Sequence, residues 1–454
     1  MMRQNEGGFT LIEVVVGAVL MVMMVTAVGG LFVSNLQSVA LGKSTAIGLG
    51  VANNEMELLR DLPYASLATA HGTIYPPGNL PDSQTVTQDN FSFTVKTQIV
   101  YIDDPYDGNA QGTIVGKPKD LYPYDYKEAE VQVYLNPTGQ LVAELASNFA
   151  AKAAETATNS GVLNVTVINA SGQPVPNATV TVTNATPSPA VNITTTTDNN
   201  GVVEIPLLPP ESNNTYQVTA TLGGYSTDGT IAPPGGGQTA VEPNPNILAQ
   251  QVTSITLTID QLSTLIINAT NTSGAAISNL AITTTGAKLT KKNPNVHKYS
   301  ASATTSATGA ITLNGMEWDS YNFSVPAGYY IVSGNPYLPL ALSPNSSVTA
   351  NLVISNNANW PAIVSVTPLS ETGSNGTISM SITGSNLPSS STVNLTMTGH
   401  ANITGTGCTS TGSNPAMVLT CNLNLTGAAT GTWNLVVGNS TGTTTQTGGF
   451  SVIP

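Results

Sequence analysis

Gly7-Gly8-Phe9-Thr10-Leu11-Ile12-Glu13-Val14-Val15-Val16-Gly17 opens a stretch that stays almost wholly apolar as far as Val33. A helix of roughly 20 apolar residues crosses a bilayer, so this stretch is long enough to span one. Met1 to Gly8 forms a short polar leader that contains Arg3. The apolar stretch begins directly after Gly7-Gly8, and no small-residue cleavage site closes a short apolar core, so an ordinary cleaved secretory signal does not fit. Glu13 lies inside the stretch. A carboxylate in a membrane segment is costly unless paired, which marks it as a functional candidate.

Past Val33 apolar residues recur at helical spacing through Leu36, Val39, Leu41, Ile47, Val51, Met56 and Leu59. The pattern predicts helix to Leu62, where Pro63 stops it. A helix over Phe9 to Leu62 is roughly 80 Å long. Its first half suits lipid or a filament core, and Glu57 and Arg60 stand at i, i+3 on its surface.

At these residues the chain resembles the class III signal of type IV prepilins, and Ala52 to Tyr64 is similar to the helix exit of minor pilins and pseudopilins. The resemblance implies a peptidase cut between Gly8 and Phe9 and N-methylation of Phe9. Counted from Phe9, Glu13 is the fifth mature residue, where pilins place the glutamate that meets a neighbour's N-terminal amine. Such a pairing turns a costly buried charge into a register device. The implied partners are a prepilin peptidase, other pilin subunits and an inner-membrane assembly platform. The implied location is the membrane, through one N-terminal helix, and then a cell-surface filament. A plain signal anchor that happens to contain Glu13 is the alternative.

From Asn90 to about Phe149 the pattern turns to period-two alternation, with Phe91, Phe93 and Val95, then Ile99 and Tyr101, and later Val131, Val133 and Leu135. This predicts about three antiparallel strands. The resemblance supplies their packing on the helix end, as a pilin head over residues 63–150. Asp103, Asp104 and Asp107 cluster beside Gly108 and Asn109, with Asp120 and Asp125 downstream. Such a group offers the oxygen ligands calcium takes, and some pseudopilins bind calcium in a loop. The EF-hand order and its distal Glu are missing, so a simple acidic turn stands beside calcium as a reading. No other cofactor is implied.

After a linker over 151–160, Leu163-Asn164-Val165-Thr166-Val167-Ile168-Asn169-Ala170-Ser171-Gly172 recurs as Leu265-Ile266-Ile267-Asn268-Ala269-Thr270-Asn271-Thr272-Ser273-Gly274. Downstream, Asn200-Gly201 corresponds to Thr308-Gly309 and Gly224-Tyr225 to Gly328-Tyr329. Each copy, 161–260 and 261–357, reads as a small β-sandwich. The first looks like a carboxypeptidase regulatory-like, transthyretin-like or Cna B-type module, a binding or spacer unit without catalysis. Some Cna B modules form a Lys to Asn isopeptide bond. No lysine occurs between Gly161 and Asp260, so the first copy cannot form one within itself, and the second copy has none on its first strand.

The segment 358–454, from Trp360-Pro361-Ala362-Ile363 through Thr383-Gly384-Ser385-Asn386-Leu387 to Gly449-Phe450-Ser451-Val452-Ile453, resembles an IPT/TIG immunoglobulin-like domain. No Asp, Glu, Lys or Arg occurs from Thr372 to Pro454. Its face is either a hydrogen-bonding surface for sugars or proteins, or a spacer. Cys408 and Cys421 flank turn formers, a spacing that fits a hairpin disulfide in an oxidising compartment.

With 454 residues the chain holds three or four domains. Only 8% of residues are charged and the net charge is -13, which disfavours direct nucleic-acid binding. Lys288, Lys291, Lys292 and Lys298 read as a solvated loop. His71, His297 and His400 fall in separate segments without acids or cysteines at ligand spacing, and Gly438-Asn439-Ser440-Thr441-Gly442 lies between strands rather than on a strand-to-helix elbow. Catalysis is therefore not expected. Triplets such as those at Asn164, Asn177, Asn192 and Asn394 are glycan acceptors only in a host that glycosylates them. The fold class expected is an α+β pilin N-terminus followed by tandem all-β immunoglobulin-like sandwiches. The function expected is that of a minor filament subunit, at the tip or initiating, which displays its sandwiches to an extracellular ligand. The alternatives are a pseudopilin of a type II secretion or DNA-uptake machine, and a membrane-anchored surface stalk.

Overall fold

A computed structural model describes residues 11–110, 112–120, 123–151, 159–373 and 376–454. Gly8 and Phe9 lie outside them. Helix α1 (Leu11–Arg60) carries Glu13 in its first turn and Arg60 in its last, each charge suited to its end of the helix dipole. It is free of proline, and its last carbonyls are met by Asp61 N on Glu57 O at 3.1 Å and Leu62 N on Leu59 O at 3.2 Å. Pro63 then turns the chain into a short 3-10 turn, Tyr64–Ser66.

Strands β1 (Ser83–Gln88), β2 (Phe91–Ile102), β3 (Tyr126–Leu135) and β4 (Gln140–Ala150) form one antiparallel meander. β1 goes beyond the three strands expected, because its one large apolar residue, Val86, gives no alternating signal. The β1–β2 turn sets Asp89 and Asn90 at φ 50° and 67°, a left-handed pair that suits a tight hairpin. Phe93, Val95 and Ile99 of β2 and Ala129, Val131 and Val133 of β3 pack on Val51, Ala52, Met56 and Leu59 of α1. Gly48 lets the helix come close: a Cβ there would stand 2.6 Å from Val142 Cγ2.

The first sandwich contains β5 (Gly161–Ile168), β6 (Thr179–Asn184), β7 (Val191–Thr196), β8 (Val202–Leu208), β9 (Gln217–Thr221), β10 (Asp228–Gly229), β11 (Thr239–Ala240) and β12 (Val252–Thr258). The second contains β13 (Ser263–Asn271), β14 (Ala281–Gly286), β15 (Leu289–Lys292), β16 (Val296–His297), β17 (Ser300–Thr304), β18 (Ala310–Met316), β19 (Asp319–Ser324), β20 (Tyr330–Asn335), β21 (Leu340–Leu342) and β22 (Ser347–Ser355). Sheets β12-β5-β8 and β10-β9-β6-β7 face each other in the first; β18-β13-β22-β20 and β17-β14-β19-β21 do so in the second. In both, the last strand runs parallel to the first, β12 along β5 and β22 along β13. The copies share fine detail. Gly201 and Gly309, at φ 70° and 76°, sit where a Cβ would meet Val167 O at 2.5 Å and Ala269 O at 2.6 Å. Buried Thr197 donates to Val175 O at 2.7 Å, and buried Thr305 donates to Ile277 O at 2.7 Å. The second copy adds the β15–β16 hairpin.

The third sandwich contains β23 (Ala362–Thr367), β24 (Ser370–Thr372), β25 (Thr377–Ser385), β26 (Thr392–Thr396), β27 (Ile403–Thr404), β28 (Thr406–Ser413), β29 (Ala416–Asn424), β30 (Gly431–Gly438) and β31 (Thr443–Ile453). Sheets β23-β25-β29-β28 and β24-β31-β30-β26-β27 enclose Trp433 and Phe450. Gly438 to Gly442 is the β30–β31 hairpin, the wrong setting for a nucleophile elbow.

The bodies touch in series. Tyr75 Oη of the head donates to Pro189 O of the first sandwich at 2.7 Å. β11 of the first sandwich pairs with β15 of the second, Thr239 opposite Lys292 and Ala240 opposite Lys291. Tyr337 Oη donates to Gly449 O at 2.8 Å, and buried Gln446 Nε2 donates to Gly334 O at 2.7 Å, joining the second sandwich to the third.

Candidate functional site

Helix α1 has two halves of opposite character. Its buried residues are Ser44, Gly48, Val51, Ala52, Glu55, Met56 and Leu59, all in the part that lies on the head. Before Ser44 the side chains stand clear: Leu11 is 86% exposed, Met24 68% and Leu31 67%. An apolar surface of this extent is unstable in water and calls for lipid or other helices. By length and composition the helix can cross a membrane, which suggests a membrane anchor or a signal sequence. Glu13 stands in the first turn of this exposed half, among Leu11, Ile12 and Val14.

The helix exit is held by a buried lysine that the sequence analysis did not single out. Lys127 of β3 is 1% exposed and donates from Nζ to Tyr64 O at 3.0 Å and Leu67 O at 2.8 Å. Its ammonium also lies over the rings of Tyr64 and Tyr101, 4.7 and 5.2 Å from their centroids. Burial holds its pKa down to about 8. Glu55, also buried, accepts from Gln84 Nε2 at 2.9 Å, and burial pushes its carboxyl pKa up.

Asp103, Asp104 and Asp107 share one loop, but the carboxylates of Asp103 and Asp104 turn to the main chain. Asp103 Oδ2 accepts from Ala110 N at 3.0 Å and Asp104 Oδ1 from Tyr106 N at 3.0 Å, while Asp125 Oδ2 accepts from Asp104 N at 2.6 Å. Among the described residues no group of three or more His, Cys, Asp or Glu side chains converges to hold a metal ion. Burial pushes Asp103 up to about 6, with the charges of Asp120, Asp125 and Asp107 adding to the push and the hydrogen bond from Ala110 N opposing it.

Two further groups behave differently from their sequence reading, and a third follows it. His71 does have an acid beside it, since a loop brings Asp82 Oδ2 to 2.7 Å from His71 Nδ1. Lys288 and Lys298 are half-buried and ion-paired rather than free in solvent. Lys288 Nζ lies 2.7 Å from Glu317 Oε1 and over the ring of Trp318, and Lys298 Nζ lies 2.9 Å from Glu317 Oε2 and 3.4 Å from Asp228 of the first sandwich. The β11–β15 pairing carries these lysines inward by docking their hairpin on the neighbouring module, which no local pattern reveals. Cys408 and Cys421 form a disulfide across the β28–β29 hairpin, with Cα atoms 4.2 Å apart.

Residues 162–269 match the family model of the carboxypeptidase regulatory-like domain. That family is regulatory-like rather than catalytic, which points to a non-enzymatic protein built of tandem sandwich modules. No curated protein matches the chain. Among solved structures, the TIE protein of Bacillus anthracis is 11% identical, over 82% of this chain and 72% of that one, with a TM-score of 0.17. A streptococcal ancillary pilin is 10% identical over 50% of this chain and 75% of its own, with a TM-score of 0.22. The shaft pilin SpaA of Lactobacillus rhamnosus GG is 14% identical over 43% and 98%, with a TM-score of 0.16.

Proposed function

We propose that the chain is a minor subunit of a type IV pilus-like filament, made as a prepilin and carrying its sandwiches outward for adhesion or recognition. The observation that supports this reading is the division of α1, which packs on the head from Ser44 onward while the apolar side chains of its N-terminal part, Leu11, Met24 and Leu31 among them, stand exposed among the described residues. In a filament that part packs against the same part of other subunits. Glu13 then meets the N-terminal amine of a neighbour, released by cleavage after Gly8 and methylated at Phe9. Three sandwiches in series, each with a radius of gyration of roughly 13 Å, extend about 100 Å and would crowd a filament if every subunit bore them. A tip or initiating position relieves that crowding. The third sandwich takes the role of an IPT/TIG-like end module.

Mass spectrometry of the mature N-terminus tests the reading. It expects a chain that begins at N-methylated Phe9, and fibres containing subunits that still begin at Met1 would overturn it. Glu13→Ala is expected to leave cleavage intact and to abolish incorporation, because the partner's ammonium then has no carboxylate to meet. The secretion or DNA-uptake pseudopilin shares the cut but predicts no exposure on intact cells. A surface stalk predicts an uncut leader.

A further inference from the structure

The loops at one end of the first sandwich enclose a groove of about 800 Å³, within the size range of small-molecule sites. Asn184 at the end of β6, Asn192 on β7, Asn213, Asn214 and Thr215 before β9, and Asn244 all line it. No Asp, Glu, Lys, Arg, His or aromatic residue is among its described lining residues.

Three of these side chains have unmet polar atoms, Asn184 through its Nδ2 and two more at the heart of the groove. Thr215 Oγ1 and Asn244 Oδ1 are buried with no hydrogen-bond partner among the described residues, and Asn244 is only 3% exposed. Folded proteins leave few buried polar atoms unpaired, because each one costs roughly 1–3 kcal/mol. The loop around them is fixed in advance. Asn214 holds φ 54°, accepted in place by Asn246 Oδ1 at 2.8 Å from its main-chain N, while its own Nδ2 donates to Asn244 O at 2.5 Å. Asn244 N donates in turn to Ile231 O at 3.0 Å. A site organised before binding loses less entropy when it is filled.

The chemistry of the wall selects the ligand. Side-chain amides and hydroxyls both donate and accept, which matches sugar hydroxyls that do the same. With no charged group on the wall, nothing favours phosphate, carboxylate or ammonium. With no aromatic or broad aliphatic face, nothing favours a lipid or an apolar peptide. We propose that this groove binds a neutral oligosaccharide, one ligand hydroxyl donating to Asn244 Oδ1 and a neighbouring one bonding Thr215 Oγ1. The proposal deepens the display reading by naming the ligand class and site, and it rests on that reading for its purpose only.

The test uses the full chain in a zwitterionic detergent without a sugar headgroup. Arrayed neutral and acidic glycans are screened, and those bound are titrated by calorimetry. Neutral oligosaccharides are expected to bind, and their sialylated or sulfated forms to bind no more tightly. Thr215→Val is expected to weaken binding roughly five- to tenfold, the loss of one hydrogen bond, at unchanged melting temperature. Asn192→Leu, on an exposed position at the groove mouth, is expected to weaken it as well and serves if Thr215→Val does not fold. Three results overturn the site: no neutral glycan bound at millimolar concentration, binding unchanged in the variants, or capture of peptides instead. Failure here is distinct from failure of display, which is read from antibody labelling of intact cells.

Discussion

Lys127 Nζ stands 2.8 Å from the carbonyl oxygen of Leu67, so a buried ammonium of the sheet fastens the turn by which the long helix leaves the head. The charge is costly where it sits, and the main-chain carbonyls and two tyrosine rings are what offset it. Position and charge together make this contact sensitive to pH.

Burial lowers the Lys127 pKa from 10.5 to about 8 in the folded head. Between those values the unfolded chain holds a proton that the folded one has released, so this group's contribution to stability rises with pH and is lost as pH falls through about 8. The melting temperature of the wild type relative to Lys127→Met is therefore expected to increase from pH 7 to pH 9.5. A difference that stays flat over that range would show that the ammonium is not desolvated.

Gly48 and Gly50 lie two positions apart on α1 but are expected to respond oppositely. A Cβ at Gly48 would come within 2.6 Å of Val142 Cγ2, whereas one at Gly50 meets nothing within 4 Å. Gly48→Val should destabilise the head by about 1–3 kcal/mol through overpacking. Gly50→Ala should stabilise it by up to about 1 kcal/mol, the helix-propensity gain. Thermal unfolding followed by circular dichroism checks both signs.

The division of the chain was legible where the physics is local. The apolar run, the Pro63 stop and the recurrence of Leu163 to Gly172 at Leu265 to Gly274 all lie within short windows, and they correspond to α1 and to the opening strands of two sandwiches with one topology. What local pattern could not carry is contact between distant segments. β1 pairs in register with β2 although its own alternation is nearly all polar, and Lys298 finds Asp228 across 70 residues because β15 docks on β11. Lys127 read as one more polar residue of a strand, since nothing beside it in sequence shows that its outward neighbours are the carbonyls of Tyr64 and Leu67. The groove is likewise assembled from four separate loops.

Removing the Cys408–Cys421 disulfide should be felt in the third sandwich alone. The bridge spans 13 positions, and the chain-entropy model gives about 3 kcal/mol for a loop of that size. For a module of this length that corresponds to roughly 10 °C or more in melting temperature. Cys421 is 1% exposed and belongs to the module's core, so a serine there would add an unmet hydroxyl; Cys408→Ser is the cleaner change. In calorimetry of the full chain one transition is expected to move down while the others stay. Two titratable thiols in unreduced protein exported to an oxidising compartment would remove the basis for this expectation.

Glu242 makes the joint between the first two sandwiches dependent on pH. Its carboxyl is pushed up to about 7, first by burial and then by the nearby charge of Asp228, with Glu317 adding to the push and Lys298 opposing it. Asp228 and Glu242 belong to the first sandwich, Lys298 and Glu317 to the second, and together they bound a cavity of about 440 Å³ between the two. Because the folded pKa is raised above the ordinary 4.5, the protonated acid favours the folded joint. That stability is fully present below pH 4.5 and is lost as pH rises through about 7, when a second carboxylate must be held beside Asp228. The first two sandwiches are therefore expected to melt higher at pH 5.5 than at pH 8. Glu242→Gln, which keeps the shape and cannot ionise, should flatten that profile and raise the melting temperature at pH 8. If the variant keeps the wild-type slope between those two pH values, the titrating group lies elsewhere and the Asp228–Glu242 pair does not govern the joint.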